Sequence, residues 1–147
     1  MSTLNQQHPS VRPATLLGSV LTATPLLAGA GAAVLALSGR FGGAENAFTA
    51  FWYVAAAAAP AAVLGAITLF VAHWRDEWTR PLALWSGLAV GGWLFGLGSA
   101  QVSGLADGSS TGPWQYALLG VGVAVYLLGL VGLTWTGRRA AGPADLS

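Results

Sequence analysis

The chain has 147 residues, 54% of them hydrophobic and only 7% charged, with a net charge of +1 and no cysteine. A soluble domain carries about 25% charged residues, so this chain cannot coat a water-soluble particle of its size, and lipid has to stand in for water. The absence of cysteine excludes disulfides, thiol catalysis and cysteine-bound metal, and so small and scattered a charge gives no footing for nucleic acid.

The first apolar stretch follows Arg12 and contains no ionisable side chain until Arg40. Its apolar core, 15–37, exceeds the roughly 20 residues that a helix needs to cross about 30 Å of hydrocarbon. Pro25 lies ten residues into it, where a proline removes one backbone donor and frees the carbonyl of Leu21, so Pro25 is a candidate helix kink. Ala28, Ala32 and Ala36 recur every four residues. The same region has a second reading. Arg12, an apolar run and Ala28-Gly29-Ala30 resemble a secretory signal with a small-residue cleavage site. The apolar run continues to Leu37, and that favours a retained helix.

A glycine-containing connection leads to a second span at 50–72, opened by Phe51, Trp52 and Tyr53 and closed by Trp74. Pro60 again lies ten residues in and frees the carbonyl of Ala56, making it the second candidate kink. The run Ala55–Ala59 keeps this helix thin on every side.

The connection 73–81 is the densest polar segment. His73, Asp76 and Glu77 are metal-ligand types, but a zinc motif needs a second nearby histidine, and His8 sits in the N-terminal tail. A haem held by two histidines is disfavoured because neither lies within a span. The segment reads instead as a turn on the membrane surface. Arg75 and Arg80 are its candidates for contact with anionic headgroups, and the tryptophan rings anchor it.

The third span, 82–102, carries Gly87 and Gly91, then Gly92 and Gly96, each pair in the Gly-x-x-x-Gly spacing that lets helix backbones approach closely in lipid. All four are expected at a close helix contact, within the bundle or against a partner. Turn chemistry at 103–113 leads to the fourth span, 114–136, bracketed by Trp114, Tyr116 and Trp135, with Gly122, Gly129 and Thr136 every seven residues. The tails 1–12 and 138–147 are polar and expected to be disordered.

No stretch alternates apolar with polar at period two, which counts against a barrel; helix is the remaining way to satisfy a backbone in lipid. The expected fold is therefore all-α: one domain, an integral membrane four-helix up-down-up-down bundle. Arg12, Arg75, Arg80, Arg138 and Arg139 fall on one side against Arg40 on the other, so both termini are expected in the cytoplasm. All six basic residues are arginine in an alanine- and glycine-rich chain, a composition that suggests a GC-rich prokaryote and its plasma membrane.

Every Asp, Glu, Arg and His lies outside the spans or at their edges. Proton relays and substrate counter-charges usually show as ionisable residues within the membrane. No catalytic residue, metal or cofactor is expected. The sequence points to a non-enzymatic accessory or assembly subunit, in contact with the bilayer and with a membrane protein partner or a second copy. The alternative is a small carrier or channel for a neutral or apolar solute, with its path near Pro25, Pro60 and Gly91.

Overall fold

The computed structural model describes residues 13–40, 46–102 and 112–140. The expected N-terminal tail, with Arg12 and His8, lies outside the described residues, as do parts of the first and third connections and the last seven residues.

Among the described residues five helices follow in chain order: α1 (Pro13–Leu37), α2 (Ala47–Ala57), α3 (Ala59–His73), α4 (Arg80–Val102) and α5 (Pro113–Ala140). No strand occurs among the described residues. Three of the five, α1, α4 and α5, are each long and apolar enough to cross a membrane. Pro13 and Pro113 open their helices, where a missing N–H removes no helical bond. At its other end α1 closes on Gly39, whose φ of 80° only glycine adopts without strain. The Gly39 N–H returns to the Ala36 carbonyl at 3.0 Å.

The expected single helix at 50–72 is instead two, α2 and α3, bent by 44° at the one-residue break between them. Pro60 explains the break. Its ring supplies no donor and crowds the carbonyl four residues back. The N–H groups of Ala61 and Ala62 turn to the Ala58 carbonyl at 3.1 and 3.3 Å, starting a new helix there. Together α2 and α3 are apolar and long enough to form one broken span. The last helix also differs from expectation: α5 runs past 136 through Arg138 and Arg139. Cations in a last turn face the negative end of the helix dipole, which favours continuation.

The buried positions follow alternating steps of three and four residues. The main line of each is Gly18, Thr22, Pro25 and Gly29 on α1, Leu82, Ser86, Ala89, Trp93 and Gly96 on α4, and Gln115, Leu119, Gly122, Tyr126, Gly129 and Leu133 on α5, with Ala36, Ala83, Val90, Gly92 and Gly132 buried beside it. This spacing belongs to helices crossing at a shallow angle. Neighbours run antiparallel: Gly18 faces Leu69 while Gly29 faces Phe51 and Ala55, and Gly96 faces Gly122 while Ala89 faces Gly129. Ala55, Ala89, Trp93 and Tyr126 form one core cluster, and Leu69, Leu82 and Leu133 form a second.

Polarity is inverted relative to a soluble protein. Thr22, Ser86 and Gln115 are buried, whereas Leu16, Leu17, Val34, Leu64, Val71 and Val131 are exposed. Water-soluble chains bury such aliphatics. Where the solvent is hydrocarbon, large apolar side chains gain nothing by turning inward, and small residues inside allow close dispersion contact.

Candidate functional site

The expected four-glycine contact on α4 divides into two faces. Gly92 and Gly96 face α5: a Cβ on Gly92 would stand 2.7 Å from the Tyr126 nitrogen and 2.9 Å from the Gly122 carbonyl, and one on Gly96 would meet Gly122 Cα at 3.6 Å. Gly87 and Gly91 are exposed on the opposite side, where a Cβ would meet nothing within 4 Å. The physical reason is the helical turn. Successive residues are about 100° apart, so Gly91 and Gly92 cannot share a contact on a straight helix. Gly98 is open in the same way as Gly87 and Gly91.

The two prolines have different surroundings. Pro25 is buried within a continuous α1. Nearby, the Thr22 hydroxyl donates to the Gly18 carbonyl at 2.8 Å, and the Tyr126 hydroxyl donates across from α5 to the Thr22 carbonyl at 3.1 Å. Pro60 is exposed at the break. Because α2 leans away from the line of α3, a half-open groove of about 460 Å³ remains between α2, the second half of α4 and the start of α5. Trp52, Ala56, Leu97 and Leu119 line its floor, with Gln101 and Tyr116 at its exposed margin. Pro25, Pro60 and Gly91 do not line it, so the open space lies elsewhere than the sequence suggested.

Trp52 is held by its neighbours. Its ring stacks on Trp93 with centroids 5.5 Å apart and planes 8° from parallel, and it stands steeply inclined to the rings of Phe48 and Phe51. Trp93 in turn touches the Tyr126 ring at 5.3 Å. The indole N–H groups of Trp52 and Trp93 are both buried without an acceptor among the described residues, an uncommon state for buried donors.

In the second connection, Arg75 and Arg80 are both exposed. Arg80 donates from Nε to the Trp74 carbonyl at 3.3 Å and lies 5.3 Å over the Trp74 ring. Arg139 covers Trp135 in the same manner at 5.0 Å. His73 is turned inward, 4% exposed, with Nε2 2.8 Å from the Thr15 hydroxyl. Asp76 caps its own turn by accepting from the Trp78 N–H at 3.1 Å. No group of three or more metal-ligand side chains occurs among the described residues, so His73, Asp76 and Glu77 do not form one.

Sequence reasoning missed the close approach of α1 to α3. A Cβ on Gly65 would stand 2.6 Å from the Thr22 nitrogen and 2.7 Å from the Gly18 carbonyl. The alanines singled out on α1 lie beside this line of contact and only Ala36 is fully buried. The three-and-four spacing of Gly18, Thr22, Pro25 and Gly29 was the available signal.

The fold and these contacts define an all-helical protein with an apolar exterior and three helices able to span a membrane. Comparison with protein-family models, with curated proteins and with solved structures found no match.

Proposed function

We propose that the protein is a four-span integral membrane protein of the prokaryotic plasma membrane, acting as a non-enzymatic accessory or assembly subunit of a membrane complex. In this reading α2 and α3 make one broken span, the spans alternate up and down, and both termini are cytoplasmic. The antiparallel neighbours, the inverted polarity and the arginine asymmetry support that arrangement.

The observation that carries the functional reading is the outward face of α4. Gly87, Gly91 and Gly98 leave a shallow strip where a Cβ would meet no other described residue within 4 Å, flanked by exposed Leu84, Leu88, Leu94 and Phe95. The opposite face of the same helix shows what such residues do when occupied, since Gly92 and Gly96 receive the backbone of α5. In lipid, a strip of this kind fits a neighbouring helix by close van der Waals contact. The occupant is a transmembrane helix of another chain, because the ionisable groups of these helices lie at their ends and leave the apolar stretches without chemistry of their own.

The test is purification in mild detergent with mass spectrometry of co-purifying chains. A stoichiometric membrane protein is expected, lost on Gly91→Leu while the variant stays folded and monodisperse. Persistence of the partner after Gly91→Leu, or a wild-type protein that purifies alone, would overturn the proposal.

A further inference from the structure

The groove between α2, α4 and α5 has properties that packing alone does not require. Its origin is local: Pro60 breaks the span, α3 stays against α4 through Leu69 and Leu82, and α2 remains against α1 through Phe51, Ala55 and Gly29. The gap is the space that the bend opens. Its volume of about 460 Å³ lies within the ~300–1,000 Å³ of small-molecule sites, which are mostly apolar with a few placed polar groups.

The lining has a direction. Leu119 is buried and Trp52, Ala56 and Leu97 are half-buried, whereas Thr49, Gln101 and Tyr116 are exposed. The exposed margin, which also includes Phe48 and Tyr53, mixes aromatic with polar side chains around an apolar interior. No charged residue lines it among the described residues. Trp52 offers a flat wall already fixed by its stack on Trp93, so little side-chain freedom is lost when a second ring lies against it. Its indole N–H is buried without an acceptor among the described residues.

We propose that this groove binds a neutral, flat, lipophilic ring compound bearing a hydroxyl or carbonyl oxygen. The ring stacks on Trp52 beside Leu97 and Leu119, and the oxygen hydrogen-bonds to the Gln101 side chain at the exposed margin. A neutral compound is favoured because no described lining residue carries a charge to compensate the desolvation of a charged one. A ring is favoured over a flexible chain because flat faces stack on aromatic walls, while a chain gains no such contact and loses rotational freedom.

Equilibrium dialysis of radiolabelled 1-naphthol against the full-length protein in detergent, with empty micelles as reference, tests the site. Saturable binding above the micelle background is expected. Leu97→Trp, which fills the floor, should weaken binding by tenfold or more. Gln101→Leu, at the exposed margin, should weaken it about three- to tenfold, as for loss of one hydrogen bond; this variant keeps the test valid if Leu97→Trp fails to fold. Excess 1-decanol, a chain with the same hydroxyl, should displace little naphthol. Uptake that never saturates, or that is equal in wild type and Gln101→Leu, would overturn the site. Displacement by decanol as effective as by unlabelled naphthol would overturn the ring class.

Discussion

Replacing Gly122 by alanine adds one methyl group at the crossing of α4 and α5. The new Cβ would stand 2.5 Å from Gly96 Cα, 2.6 Å from the Gly96 nitrogen and 2.8 Å from the Gly92 carbonyl. All three are backbone atoms, so no side chain can rotate away and the helices must separate. Overpacking of this kind costs about 1–3 kcal/mol. Gly91→Ala supplies the control, because a Cβ there meets nothing within 4 Å. Both substitutions also gain about 0.5–1 kcal/mol from better helix propensity, and that contribution cancels when the two variants are compared. Gly96→Ala adds a finer check. Its Cβ would meet Gly122 Cα at 3.6 Å, an ordinary contact, so it should resemble Gly91→Ala. Unfolding in mixed micelles with rising dodecyl sulfate, followed by helical circular dichroism, gives the three free energies. The expected order is Gly122→Ala least stable, with the other two close together and at or above wild type. Equal stabilities for Gly122→Ala and Gly91→Ala would refute the account of the α4–α5 seam.

The Thr15–His73 hydrogen bond should couple α1 to the end of α3: Thr15→Val is expected to cost about 0.5–1.5 kcal/mol in the same assay, and less than half of that when His73 is already alanine. Equal costs in both backgrounds would show that the 2.8 Å contact does not contribute. For orientation, a reporter active only outside the cytoplasm should be silent at the C-terminus, and Arg75→Gln with Arg80→Gln should raise its signal modestly, each arginine contributing about 1 kcal/mol near an anionic surface. Full activity at the wild-type C-terminus would mean an odd number of spans.

The helices were legible in the sequence because a run of apolar residues without charge has few alternatives in lipid. The starts and ends of α1 and α4 fall close to the trimmed apolar runs for that reason. The break at Ala58 was legible only as a candidate kink. Proline states that one bond is lost, but whether the helix bends or continues depends on its neighbours, as continuous α1 around Pro25 shows beside the 44° bend before Pro60. The glycine stripe on α4 was readable as spacing and misread as a single face, although the 100° step between Gly91 and Gly92 already separates them. The groove had no signal of its own. It arises from one bend and from which helices α2 and α3 each follow, and neither is a property of a local stretch of residues. His73 was placed at the membrane surface by its neighbours Arg75, Asp76 and Glu77; its burial depends on Thr15, 58 residues earlier.

The two polar ties of α1 bear on the order in which the chain is built. Thr15 joins His73, 58 residues downstream, and the Thr22 carbonyl accepts from Tyr126, 104 residues downstream. The ribosome therefore delivers α1 long before either partner exists. The first tie can close once α3 has emerged, so α1, α2 and α3 can settle together while α4 and α5 are still being made. The second waits for the last helix, whose arrival also brings Tyr126 against Trp93. A chain truncated before α5 lacks Tyr126 and leaves the Thr22 carbonyl without this donor, so the tie between α1 and α5 forms only after the last helix has been made.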